Sequence, residues 1–107
     1  MRYAIVLSPE ALETLHQLRG ALRTRVRTSI ERHLRHDPTQ VSRSRIKRLR
    51  GLSRPQYRLR IDETRVFYDV TGTTVQVLAI VTKAQAQAWL ESKATPSEGG
   101  GAGQDQG

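Results

Sequence analysis

The chain has 107 residues, of which 36% are apolar, 18 are Lys or Arg, 10 are Asp or Glu, and none is Cys. That length supports one domain with a modest core, and the missing cysteine excludes disulfides and thiol catalysis. The formal net charge of +8 directs attention to nucleic acid, an anionic surface or an acidic protein as partner.

Arg2 to Leu7 reads as a short, mostly apolar strand, and Tyr3 to Leu7 is too short for a signal or membrane segment. Ser8-Pro9-Glu10 then supplies a capping hydroxyl, a proline at the first helical position and an acid at the positive end of the dipole. Ala11, Leu12, Leu15 and Leu18 mark the inner face of a first helix. Gly20 allows a break, after which Leu22, Val26, Ile30 and Leu34 recur every four residues through a second helix. Glu31 is spaced to pair with Arg27 and Arg35, and Asp37-Pro38 ends the helix. Residues 39 to 45 form a loop, and Ile46 to Leu49 a short strand or turn closed by Gly51.

Gln56 to Tyr68 carries the strongest pattern in the chain. Tyr57, Leu59 and Ile61 alternate with Arg58 and Arg60, and a second run begins at Arg65 after Asp62-Glu63. A two-residue loop sets Arg60 opposite Arg65, Leu59 opposite Val66, Arg58 opposite Phe67 and Tyr57 opposite Tyr68. Three arginines then share a face with one aromatic, and the tyrosines face the helices as core residues. Like charges across a ladder are destabilising, so a polyanion is the natural complement. Thr71-Gly72-Thr73 makes the next turn, and Thr74 to Val81 is apolar on both parities, as a central strand is. Pairing across Gly72-Thr73 sets Leu78 beside Phe67 and Ile80 beside Arg65, an apolar floor under a basic rim. Thr82 caps a last helix from Lys83 to Glu91.

The order β-α-α-β-β-β-α predicts an α+β fold, with a helical hairpin packed on a small, mainly antiparallel sheet. The domain is expected over residues 1–92. Residues 93–107, ending in GGGAGQDQG, have little to bury and are expected to be a disordered Gly-rich tail.

Metal chemistry has little to work with: His16, His33 and His36 are the only histidines, and the acids are scattered. No nucleophile elbow, phosphate-cradling Gly loop or carboxylate pair is present. The remaining chemistry is cationic. Between Arg19 and Arg65 there are 15 Lys or Arg against four acids. Guanidinium groups clamp phosphates, stack on bases and stabilise charge developing at phosphorus, while RNA brings its own 2′-OH nucleophile. Arg58, Arg60 and Arg65, with Lys83 near the end of the neighbouring strand, are the candidate catalytic residues.

Arg48-Leu49-Arg50-Gly51, Tyr57-Arg58-Leu59-Arg60, Arg65-Val66-Phe67-Tyr68 and Val77-Leu78-Ala79-Ile80 occur in that order. The series resembles the RelE/ParE superfamily of toxins from type II toxin–antitoxin systems, nearer RelE than ParE, over roughly residues 2 to 91. The resemblance implies a cytoplasmic, ribosome-dependent mRNA endoribonuclease that needs no metal or cofactor. It also implies a cognate antitoxin, joined to the toxin in a hetero-oligomer. Arg58, Arg60, Arg65 and Lys83 fall on its catalytic positions, and Arg48, Arg50, Arg54, Phe67 and Trp89 are assigned to nucleic-acid binding. Two departures stand out: arginine replaces lysine at 58 and 60, and Trp89 falls where a catalytic tyrosine is expected. Both weaken proton transfer more than anion binding. The alternatives are a ParE-like toxin that binds DNA gyrase and a catalytically weak binding module.

Overall fold

The computed structural model describes residues 1–97. Strand β1 (Ala4–Leu7) leads into helices α1 (Pro9–Gln17) and α2 (Gly20–Leu34). Strands β2 (Ile46–Arg48), β3 (Leu52–Arg54), β4 (Tyr57–Ile61), β5 (Thr64–Thr71) and β6 (Thr74–Thr82) follow, then α3 (Lys83–Lys93) and the short β7 (Thr95–Pro96). The main sheet has the order β1-β6-β5-β4-β2, with β1 parallel to β6 and the other neighbours antiparallel. The fold is therefore the expected α+β arrangement, with β2 added as an edge strand.

The helical hairpin forms for local reasons. Ser8 Oγ accepts the Ala11 N–H (3.0 Å), and Pro9 occupies the first turn, where its missing donor costs nothing. Ala11, Leu15, Val26, Ile30 and Leu34 are buried against Ile46, Leu59, Ile61, Val66, Tyr68, Val75, Val77 and Ile80. Leu12 and Leu22, expected on the inner faces, lie at the outer margins instead and are 44% and 38% exposed. Glu31 pairs with Arg35, which lowers its pKa, and Arg27 adds only a weaker, longer-range attraction.

The β4–β5 register is the one its two-residue loop dictates, from Tyr57–Tyr68 to Ile61–Thr64. Asp62 takes a left-handed φ of 52° in that loop, a conformation its short polar side chain tolerates. Tyr57 and Tyr68 stack at 5.5 Å on the helix side, and the Tyr68 hydroxyl donates to Pro38 O (2.6 Å). Burial pushes the Tyr68 phenol well above its usual range, as befits a core tyrosine.

The β5–β6 register departs from expectation. It starts from the Gly72 turn as anticipated, with Tyr68 opposite Val77, but Phe67 then faces Ala79. Leu78 is the extra residue of a β-bulge. The bulge sits where β1 leaves β6: the Ser8 N–H donates to Val77 O (2.9 Å), and Ser8 Oγ donates to Leu78 O (2.7 Å). One residue of slip moves every later side chain to the other face. Ile80 therefore lies opposite Val66 in the core, and Arg65 lies opposite Val81.

The boundary expected at residue 92 also shifts. α3 runs through Lys93, and Thr95–Pro96 pairs with Leu52 and Arg54 in a separate two-stranded sheet. The remainder of the expected tail, residues 98–107, lies outside the described residues.

Candidate nucleic-acid interface

The helices α1 and α2 cover one face of the sheet, and the alternation of β2, β4 and β5 sends Lys47, Arg58, Arg60 and Arg65 to the other. Ile46, Leu59 and Val66 are core residues, so their neighbours Lys47, Arg58, Arg60, Arg65 and Phe67 face away from the hairpin. Across the strands, Lys47, Arg58, Phe67 and Ala79 form one row; Arg60, Arg65 and Val81 form the next. The structure thus brings together Arg58, Arg60 and Arg65 and adds Lys47. Lys83 begins α3 beyond the Thr64–Thr82 pair, with its N–H on Glu63 O (2.7 Å), at the Arg60–Arg65 end of the face.

The three arginines differ. Arg65 is only 7% exposed, and its Nη1 donates to the carbonyls of Asp62 (2.7 Å) and Thr64 (3.1 Å). It is a fixed, buried cation beneath the surface. Arg60 is exposed. Arg58 is half-buried, and its Nε is sealed from solvent without a hydrogen-bond partner. Burial first, then the charges of Arg65 and Arg60, lower the Arg58 pKa. The group stays cationic all the same, because a guanidinium does not deprotonate in proteins.

No carboxylate relieves this crowding. Among the described residues the ion pairs are Arg25–Asp62, Arg35–Glu31 and a long Arg54–Asp69 contact, and none includes Arg58, Arg60 or Arg65. Asp62, the nearest acid in sequence, is turned to Arg25 of α2 at 2.5 Å. The face thus carries concentrated positive charge and one unsatisfied, desolvated donor. An oxyanion offsets that charge.

The aromatic expectation needs correction. Trp89 lies flat on Phe67, with centroids 5.1 Å apart and planes at 9°, and Phe67 is 1% exposed. Phe67 cannot stack on a base while α3 is seated; it is the bed for Trp89. Trp89 itself is half-exposed, and its Nε1 donates to Glu10 of α1 (2.8 Å). The expected floor of Leu78 and Ile80 is likewise revised: Phe67 underlies Trp89, Leu78 lines a cavity beside it, and Ile80 belongs to the core.

Arg48, Arg50 and Arg54 form a separate margin. Arg48 has the parity of Tyr57 rather than of Arg58; it lies over the Tyr57 ring at 5.2 Å and donates to Gln56 O (2.8 Å). Arg50 is exposed in the turn at Gly51. Arg54 is 4.0 Å from Asp69 and, with Leu78, Trp89 and Lys93, lines a cavity of about 400 Å³. Asp69 is buried and accepts the Gln56 N–H (2.7 Å). Burial raises its pKa, against the opposing pull of that N–H, Arg54 and Arg48.

Sequence reasoning missed Lys47. The signal was present in Ile46-Lys47-Arg48, whose apolar first residue points inward, but three residues do not declare their pairing partner.

The arrangement of helices and strands superposes on known structures. The chain superposes on a chain of the archaeal RelE–RelB complex from Pyrococcus horikoshii OT3 with a TM-score of 0.65. Identity is 20%, covering 79% of this chain and 99% of that one. The fold is that of the RelE-like toxins. The RelB–RelE antitoxin–toxin complex of Methanococcus jannaschii gives a TM-score of 0.62 at 18% identity, covering 78% of this chain and 96% of that one. The Staphylococcus aureus YoeB dimer gives 0.56 at 18% identity, covering 76% and 97%. No protein-family model matches the sequence, and no curated protein sequence matches it.

Proposed function

We propose that the protein is the toxin of a type II toxin–antitoxin pair and acts as a metal-independent endoribonuclease on mRNA in the ribosome. The observation that carries this reading is the Arg58 guanidinium, half-buried beside Arg60 and Arg65, with no acid and an unpartnered Nε. A phosphodiester fits the concentrated positive charge. The RelE-like fold, with neighbours solved as toxin–antitoxin complexes, supports an antitoxin as the protein partner. No helix among the described residues is long and apolar enough to cross a membrane, and the proposed site of action is the cytoplasm.

In the proposed reaction the 2′-oxygen attacks the adjacent phosphorus and the bond to the 5′-oxygen breaks. The products are a 2′,3′-cyclic phosphate and a 5′-hydroxyl, with the 2′-OH proton passing to solvent or base and a proton reaching the leaving oxygen. Arg58 and Arg60 contact the non-bridging oxygens and stabilise the charge that grows there. Arg65, pinned by two carbonyls, acts through its field and through the positions it imposes on Arg58 and Arg60. Lys47 and Lys83 supply ammonium groups, which exchange protons more readily than guanidinium does.

A second reading, a gyrase-binding toxin with the same fold, is favoured by one observation. The face described has no imidazole or carboxylate for proton transfer, and its aromatic residue is covered by Trp89. Incubation with translating ribosomes and mapping of mRNA 5′ ends separates the two. Cuts confined to A-site codons support the nuclease, and intact mRNA with blocked gyrase supercoiling supports the alternative.

A further inference from the structure

Beyond the β2 edge, on the helix side, Arg32, His33, Asp37, Gln40, Ser42, Arg45 and Ile46 line a cavity of about 240 Å³. We propose that this cavity is a phosphate-binding pocket, distinct from the sheet face, in which Arg32, Arg45 and His33 hold the anion. The sheet-face reading does not enter the argument, and the pocket stands or falls without RNA cleavage.

The local chain builds the pocket from two directions. α2 delivers Arg32 and His33 in its last turn, where the helix dipole favours positive charge. After the helix, Gln40 N–H donates to Asp37 O (3.2 Å), and the chain turns back toward β2. Ser42 Oγ then accepts the N–H groups of Arg45 and Ile46, both at 3.1 Å, which fixes Arg45 opposite the helix. The Ser42 hydroxyl proton remains free to be donated to a guest. Arg32 and Arg45 enter no ion pair among the described residues. Two cations thus line a concave site together with a third, titratable group, His33.

The charges facing His33 are Arg32 from its own helix, Asp37 from the following turn and Arg45 from the approach to β2. Desolvation, then Arg45, then Arg32 lower the His33 pKa, so the free pocket favours the neutral imidazole. A bound phosphate reverses the balance, because its negative charge offsets the arginines and it accepts a hydrogen bond from the imidazolium. Binding and protonation are therefore linked, and a bound phosphate raises the His33 pKa. Asp37 works in the opposite sense, and its removal should tighten binding.

The pocket also adjoins the basic face. Arg60 N–H donates to Arg45 O (2.8 Å), so Arg45 stands where the sheet face ends and the pocket begins. A nucleic-acid backbone crossing the β2 edge and a free phosphate group present the same chemistry to it, and the test separates them.

His33 is titrated by NMR in the full chain, alone, with inorganic phosphate, with a short single-stranded RNA, and with chloride at matched ionic strength. The expected result is a rise of the His33 pKa with phosphate but not with chloride. The rise should be lost in both Arg45→Gln and Arg32→Gln and enlarged in Asp37→Asn. If RNA produces the same rise, and Arg45→Gln lowers the salt slope of RNA binding by about one, the anion is a backbone phosphate. If only inorganic phosphate does so, the ligand is a small phosphate. A His33 pKa unmoved by either, or moved equally in Arg45→Gln, overturns the proposal.

Discussion

Lys47 and Arg58 stand directly across the β2–β4 ladder, two cations in register with no acid between them. Like charges so placed weaken a sheet, and the strain grows with Arg60 and Arg65 one step away. Arg58→Met is therefore expected to leave the protein at least as stable as the wild type, while RNA binding weakens. Denaturant titration and RNA binding measured on the same samples check this. A clear loss of stability would show that Arg58 is a structural residue.

Arg65 should behave in the opposite way. Its guanidinium satisfies the Asp62 and Thr64 carbonyls from a buried position. Arg65→Ala is expected to cost about 1–3 kcal/mol of stability through the loss of those bonds. Arg60→Ala, at an exposed position, should be neutral in stability and lower the salt slope of RNA binding by about one. Equal unfolding midpoints for Arg65→Ala and wild type would contradict the assignment.

Trp89 joins three elements, stacking on Phe67 of β5 and donating to Glu10 of α1. Trp89→Ala should lower stability by about 2 kcal/mol, given its partial burial, and uncover Phe67. Trp89→Phe should recover the stacking but not the Glu10 bond. Unfolding midpoints that do not rank wild type, Trp89→Phe and Trp89→Ala in that order would contradict this.

Asp69 provides a pH signature. Its pKa is raised in the folded protein, chiefly by burial. The folded state therefore holds this proton more tightly than the unfolded state, and the ionised form carries a penalty at neutral pH. Asp69→Asn keeps an oxygen to accept the Gln56 N–H and removes that penalty. The variant should be at least as stable as wild type at pH 7. Its advantage should shrink as pH falls from the raised native value toward the ordinary carboxylate value of about 3.9. An advantage that grows on acidification would show that Asp69 is stabilised as the anion.

Much of this architecture is legible in the sequence because it is set locally. Ser8-Pro9 fixes a helix start, and Asp62-Glu63 fixes the register of the hairpin that carries Arg58, Arg60 and Arg65. What escapes is set at a distance. The bulge at Leu78 is bonded by Ser8, seventy residues earlier, and the slip it introduces sets Ile80 opposite Val66 in the core. The burial of Phe67 depends on where α3 lies, and α3 has no fully buried side chain to declare its inner face. Lys47 escapes because β2 is three residues long and takes its place from β4.

The role proposed for the basic sheet face is to grip and cleave mRNA on the ribosome. The most direct measurement maps mRNA 5′ ends after translating ribosomes are incubated with wild type, Arg58→Met and Arg60→Ala, each first shown to be folded. Cuts within A-site codons are expected for wild type, with a loss of about tenfold or more for each variant, in keeping with the removal of one charge-stabilising donor. Wild-type cutting retained in both variants, or no cutting by wild type at all, would contradict it.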